Sequence, residues 1–214
     1  MTSALKIYAT PLSANGRKVL AVSRHLGLNA EIHEVNVYRG EGRSPEYLAI
    51  NPSGKIPTLV DGEFVLCESN AILLYLAAVH GAGQLWSDEA KQRGRIAQWL
   101  FWEAAHWQPT LIALLSELVG HRLLPEKIPS PQRPPDWSSA LVQPILNTLE
   151  MGLRAGAFLA GPGATIADFA VAGMTTYFAA ADFPFQRFPK ISAWYARIES
   201  FESWRSTRSP LWAR

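Results

Sequence analysis

The stretch Asn51–Ala77, NPSGKIPTLVDGEFVLCESNAILLYLA, constrains the fold more than any other part of the chain. Asn51-Pro52-Ser53-Gly54 is a cluster of turn formers. Ile56 to Val60 reads as a short strand. Pro57 cannot donate to a ladder, so it belongs at a strand entrance or edge. A cis Ile56–Pro57 bond fits that place and would leave the backbone of Ile56 as a free strand edge. Asp61-Gly62 is a two-residue hairpin signal, and Glu63 to Cys67 reads as the returning strand. Ser69 then reads as the N-cap of a helix carrying Ile72, Leu73, Leu76 and Val79. The pattern predicts strand, hairpin, strand and helix, with a bare backbone edge beside a helix N-terminus. That pairing suits an extended peptide ligand bearing a carboxylate.

The flanking sequence extends this unit. Leu5-Lys6-Ile7-Tyr8 alternates apolar and polar residues and reads as a first strand. A loop, Thr10 to Gly16, leads into a helix with Val19, Leu20, Val22 and Leu26 on its apolar face and Gly27 as its stop. Ala30 to Val37 reads as a second strand. The order βαβ, connector, ββα predicts an α/β, thioredoxin-like domain over residues 1–80, with a four-stranded mixed sheet. Residues 81–90 read as a linker and residues 91–214 as an all-α helical domain. There, Ile96 to Leu118 reads as one long amphipathic helix bent at Pro109. Residues 125–137 hold five prolines and cannot be helix interior. Ser139 to Leu153 predicts another helix, ended by Gly156. Thr165-Ile166-Ala167-Asp168 is a capping-box variant before a helix reaching about Ala180. Ile191, Trp194, Ile198 and Phe201 mark the last helix.

Composition narrows the function class. With 20 basic and 18 acidic residues the formal net charge is only +2, and no Lys/Arg cluster suggests nucleic acid. The longest uncharged runs fall short of the roughly 18 apolar residues that span a bilayer. The start of the chain lacks the apolar core of a signal peptide. A single cysteine, Cys67, excludes a disulfide framework and a cysteine-based metal site. A soluble cytoplasmic protein, without metal, nucleic acid or membrane as partner, is the expectation.

The order of elements, the Asn51–Ala77 segment and the GATIADF motif at Gly163–Phe169 together resemble the glutathione transferase superfamily along essentially the whole chain. TPLSANGRKVL, from Thr10 to Leu20, resembles the serine-type first loop of phi-, theta- and related bacterial enzymes. The tyrosine of another subgroup and the cysteine of omega members are absent from residues 9–18. The resemblance implies glutathione as co-substrate, a small apolar electrophile as partner, and a twofold homodimer. Many members place an aromatic residue before the glycine of the turn; Ser53 stands there in this chain.

The resemblance also implies a site. A free thiol has a pKa of about 8.5, and lowering it by two units takes roughly 2.7 kcal/mol of preferential anion stabilisation. Ser13 would donate its hydroxyl to the sulfur, with the helix N-terminus adding its positive end. Thr10 and Asn15 are fallback donors in the same loop, and Ser13 also fits a plain helix cap. Glu68 would pair the γ-glutamyl ammonium, and Ser69 with the helix N–H groups would hold the α-carboxylate. Ile56 would exchange backbone hydrogen bonds with the cysteinyl unit, beside Pro57. Lys55 and Arg43 would neutralise the glycyl carboxylate. Phi members carry His-Lys where this chain has Gly42-Arg43, so that end would be held differently.

Asp168 reads as a capping carboxylate rather than a catalytic one, and Cys67 as a small buried side chain. Trp99, Phe101, Trp102 and Trp107 surround His106, and half of such a cluster must be core at helical spacing. Trp102, His106 and Leu12 are the candidates for an electrophile pocket. Three activities remain open on these residues: conjugation to electrophiles in detoxification, glutathione-dependent peroxide or disulfide reduction, and non-catalytic glutathione-transferase-like binding.

Overall fold

The computed structural model describes residues 5–213. Alternation of small and apolar side chains gives β1 (Lys6–Ala9) a buried face at Ile7 and Ala9. It lies between parallel β2 (Glu31–Glu34) and antiparallel β3 (Thr58–Asp61), and β4 (Phe64–Cys67) closes the four-stranded sheet in the order β2-β1-β3-β4. Ile7 pairs with Ile32 on one side and Leu59 on the other. Helices α1 (Ala14–His25) and α3 (Ser69–His80) pack together with the sheet, and Tyr8 meets Tyr47 of the short α2 (Pro45–Ile50). This is the mixed sheet with helices of a thioredoxin-like domain, and a helical domain follows it.

Several local readings are corrected. The hairpin turn is Gly62-Glu63, one residue later than the sequence suggests, because Asp61 pairs with Phe64. Its carboxylate accepts the Tyr75 hydroxyl at 2.7 Å, which keeps Asp61 in the strand. The second strand ends at Glu34, and Val37 opens a 3-10 turn instead. Val79 is exposed, with Ala77 taking the buried position near the end of α3.

The helical domain comprises α4 (Ala90–Trp102), α5 (Gln108–Leu123), α6 (Gln143–Gly152), α7 (Ile166–Ala172), α8 (Pro189–Ser200) and the short α9 (Glu202–Arg205). The long helix expected from Ile96 to Leu118 is continuous but contains a π turn, Glu103–Trp107, where Gln108 N–H donates to the Glu103 carbonyl. Pro109 brings no N–H and its ring would collide with the carbonyl of Ala105 in a normal turn, so the wider turn resolves the clash. α6 begins four residues later than Ser139 and ends at Gly152, one residue before the expected Leu153. A Cβ on Gly152 would fall 2.3 Å from Trp99, so glycine is required where these helices touch. α7 stops at Ala172 and continues as a 3-10 stretch, Gly173–Tyr177, short of the Ala180 expected.

Asp168 anchors α7. Its buried carboxylate accepts from Leu159 N–H (2.9 Å), Thr165 N–H (2.9 Å), Thr165 Oγ1 (3.1 Å) and Trp194 Nε1 (3.0 Å). Burial pushes its pKa up, but every partner is a donor, so the ionised form is the one this cage satisfies. Removing it strands buried donors. Asp168→Ala is therefore expected to lower stability by about 3 kcal/mol or more. A urea denaturation series checks this, and a loss below about 1 kcal/mol would show that Asp168 does not anchor α7.

Candidate active site

The loop between β1 and α1 is held from several sides. Ser13 caps α1, its Oγ accepting the Gly16 N–H at 3.3 Å. Thr10 is fully buried and donates its hydroxyl to Glu34 at 2.9 Å, so that group is already committed within the sheet domain. The helical domain reaches the same loop. The Tyr177 hydroxyl accepts the Ala14 N–H at 3.1 Å, and Trp212 Nε1 donates to the Leu12 carbonyl at 3.2 Å.

Beside this loop lies an open cavity of about 440 Å³ between the two domains. One wall carries Lys55, Ile56 and Pro57, and the Ile56–Pro57 bond is cis. Asn51 Nδ2 and the Tyr47 hydroxyl both donate to the Lys55 carbonyl, at 2.8 and 2.6 Å, which fixes the turn ahead of the proline. Ile56 lies outside the β3 pairing, so its backbone faces the cavity as a free edge.

The second wall is the start of α3. Here the reading of Ser69 as N-cap is corrected: Glu68 occupies the cap with φ +67°, and Ser69 is the first helical residue. Ser69 instead donates its hydroxyl to Asn15 Oδ1 at 3.2 Å, joining the starts of α1 and α3. No side chain caps α3, so its first N–H groups open on a cavity also lined by Glu68, Ser69 and Asn70. A non-glycine residue at positive φ is strain concentrated where a ligand would sit.

The third wall comes from the π turn and α5. Ala104, Gln108 and Ile112 repeat at four-residue spacing along it, while Trp107, Leu111 and Leu115 turn into the core. Glu103 also lines the cavity, although its side chain is almost fully buried. Its carboxylate receives Lys18 Nζ at 3.1 Å and Asn70 Nδ2 at 2.8 Å. Burial lowers the Lys18 pKa, and attraction to Glu103 and Glu68 opposes that shift.

A second, apolar cavity of about 200 Å³ adjoins the first, and Ile112 lines both. Tyr38, Leu115, Met174 and Tyr177 contribute to its walls. Tyr38 sits in the connector after β2 and Tyr177 some 140 positions later, so no local pattern joins them.

The structure brings Lys55, Ile56, Pro57, Glu68 and Ser69 around one cavity. Arg43 is exposed and lies next to the wall, its guanidinium over Gly54. Gly42 and Gly54 approach backbone to backbone, where a Cβ on Gly42 would stand 2.3 Å from the Gly54 carbonyl. Ser13 and Leu12 lie behind the cavity surface rather than among its lining residues. Trp102 stacks on Trp107 at 5.5 Å and meets Trp99 edge-on, and His106 is exposed; neither lines the two cavities. The π turn adds a residue to the helical count, which rotates these side chains away from where a regular helix would aim them. Among the described residues no group of His, Cys, Asp and Glu is placed to hold a metal ion, and no helix is long and apolar enough to cross a membrane.

The comparisons with known proteins agree with this geometry. Residues 3–78 match the glutathione S-transferase N-terminal domain and residues 138–197 the glutathione S-transferase C-terminal domain. Glutathione S-transferase F10 of Arabidopsis thaliana is 33% identical over 94% of both chains. The chain belongs to the glutathione S-transferase family. Human glutathione S-transferase theta-2 is 30% identical over 92% of this chain and 81% of its own. Among solved structures, a glutathione transferase of the silkworm Bombyx mori superposes with a TM-score of 0.80 at 28% identity, covering 93% of this chain and 89% of its own. A possible glutathione S-transferase of Rhodopseudomonas palustris gives 0.78 at 28% identity, covering 99% and 100%.

The transferase's inter-domain ion pair is open to test. Lys18→Met leaves the Glu103 carboxylate without its cation, and Glu103→Leu leaves the ammonium buried alone; each is expected to cost about 3–5 kcal/mol. The double variant Lys18→Met/Glu103→Leu should cost clearly less than the sum, because neither charge is then stranded. Denaturant midpoints of the four proteins check this. Strict additivity would mean that the two groups do not act as a pair.

Proposed function

We propose that this transferase joins the thiolate of glutathione to small apolar electrophiles, as a detoxifying enzyme of the cytoplasm. The observation that carries the reading is the shared wall at Ile112, where a polar cavity sized for a tripeptide meets an apolar one. In this reading the uncapped start of α3 and the Ser69 hydroxyl receive the γ-glutamyl carboxylate, and Glu68 pairs the ammonium. The Ile56 edge takes the backbone of the cysteinyl unit. Lys55, with Arg43 beyond it, faces the glycyl carboxylate. The thiol proton leaves to solvent, and Ser13 stabilises the sulfur anion as a hydroxyl donor, since its own proton is retained. The thiolate then attacks an electrophilic carbon held against Ile112, Met174 and Tyr38. An apolar chamber suits such carbon acceptors better than peroxide or disulfide acceptors, which need no apolar wall.

Ser13→Ala is expected to raise the pKa of bound glutathione toward the free value of about 8.5. The rate with an aryl halide should fall roughly 10- to 100-fold, at about 1.4 kcal/mol per decade. Glutathione affinity should change much less. Thiolate absorbance of the binary complex against pH is the measurement, with Asn15→Ala as the comparison. An unshifted Ser13→Ala curve beside a shifted Asn15→Ala curve would move the role to Asn15.

We also propose a twofold homodimer. Phe64 and Val65 on β4 and Phe101 on α4 are exposed apolar residues that a partner would cover, and Ser53 provides no aromatic anchor. Light scattering at micromolar concentration is expected to give twice the chain mass. A monomeric mass would contradict it.

A further inference from the structure

We propose that Ile128, in the proline-rich stretch after α5, is the end stop of the apolar cavity and sets the longest acceptor chain that this transferase takes. The inference rests on the reading of that cavity as the electrophile's chamber and deepens it.

The shape of the cavity comes from α5. Ile112, Ser116, Val119, Gly120 and Leu123 follow one another at three- and four-residue spacing, so they form one stripe along the helix. Between Ile112 and Leu123 an α-helix rises about 16 Å. Tyr38, Met174 and Tyr177 complete the walls. A space of about 200 Å³ spread along such a stripe is a slot, meeting the larger cavity at Ile112 and ending at Leu123, Leu124 and Ile128. The glutathione end of a conjugate belongs at Ile112, so the far end decides how long its apolar part can be.

Ile128 is built into that far end. It is half-buried, while Pro125, Glu126, Lys127, Pro129 and Ser130 around it are exposed. Its N–H donates to the Leu124 carbonyl at 2.9 Å, and its own carbonyl accepts His121 Nδ1–H at 2.8 Å. Pro129 behind it biases the Ile128 backbone toward extended conformations. The side chain closes onto α5 at Gly120, where a Cβ would stand 2.8 Å from Ile128 Cδ1 and 3.5 Å from Cγ2. Glycine weakens a helix interior, yet here its missing side chain leaves the space that the isoleucine fills. The stretch is pinned again at buried Trp137, whose Nε1 donates to the Ala181 carbonyl at 2.9 Å and whose carbonyl accepts Gln143 Nε2 at 2.6 Å. With both ends held and five prolines between Leu124 and Trp137, the stretch presents Ile128 as a fixed wall.

The probes are S-alkylglutathiones from S-methyl to S-decyl, whose peptide part takes the larger cavity and whose chain runs into the slot. Their affinities are measured by calorimetry for wild type, Ile128→Ala and Ile128→Trp. In wild type each added methylene is expected to tighten binding roughly threefold to fourfold until the chain meets Ile128, after which further methylenes add nothing or weaken binding. Ile128→Ala removes the stop, so the break should move to a longer chain. The longest compounds should then bind on the order of tenfold tighter than they bind wild type, the worth of about two more buried methylenes. Ile128→Trp should move the break to a shorter chain. The break is read within each protein, so a smaller folded fraction does not shift it. A break at the same length in Ile128→Ala and wild type overturns the inference and leaves the chamber standing. Breaks that move the same way in both variants also overturn it, since Ile128 would then act through the fold and not by its size. If S-methylglutathione binds wild type and longer chains bind no tighter, the apolar cavity is not the electrophile's chamber, and the inference falls with that reading.

Discussion

The buried pair Lys18–Glu103 is the interaction on which the rest of the molecule depends. Lys18 belongs to the sheet domain and Glu103 to the helical domain, and both side chains are almost wholly shielded from water. Two charges so buried are tolerated only with good geometry and further hydrogen bonds. Asn70 provides one, donating to Glu103 and to the Leu100 carbonyl at 2.8 and 2.9 Å. The triad thus ties α1, α3 and the π turn together at one point. Because Glu103 and Asn70 also line the larger cavity, that cavity exists only while the domains are held in this arrangement.

The π turn is the second constraint, and it follows from Pro109 at the start of α5. A regular helix through Trp99–Ile112 would not present Glu103 to Lys18 while also placing Ala104, Gln108 and Ile112 along one cavity wall. The inserted residue moves Trp102 into an aromatic column and leaves His106 in solvent. Dispersion and ring contacts in that column stabilise the helix where its backbone bonds are irregular. The wall of the larger cavity and the hydrophobic core of the helical domain are therefore two faces of the same distorted helix.

What was legible in the sequence follows from how local its causes are. The cis-proline turn, the helix after Glu68 and the capping box at Thr165–Asp168 each depend on neighbouring residues, and each is found close to where the pattern predicts it. The position of the cap at Glu68 was not legible, because Ser69 is a good capping residue whose hydroxyl is drawn away by Asn15. The turn at Gly62-Glu63 was displaced by a hydroxyl on another element, that of Tyr75. Trp102, His106 and Leu12 do not line the apolar cavity, and for His106 the reason is that periodicity across a π turn loses its phase. Tyr38 and Tyr177 escaped notice for a different reason: only the packed fold brings the connector after β2 to the stretch after α7.

The same long-range packing explains how the short loop between β1 and α1 can be held still. Loops between a strand and a helix are ordinarily mobile unless their backbone groups are bonded elsewhere. Here the Leu12 carbonyl is bonded to Trp212, the Ala14 N–H to Tyr177 and the Ser13 N–H to Thr10. One turn further on, the Arg17 guanidinium lies 4.0 Å above the Trp204 ring and donates to Thr176, Thr207 and the Trp204 carbonyl. Every one of those partners outside the loop itself comes from the C-terminal third of the chain. The serine loop thus belongs to the sheet domain by sequence and to the helical domain by its bonds. Loosening the helical domain should release the loop before it unravels the sheet, so the loop between β1 and α1 would lose its order before the thioredoxin-like core as the protein is destabilised.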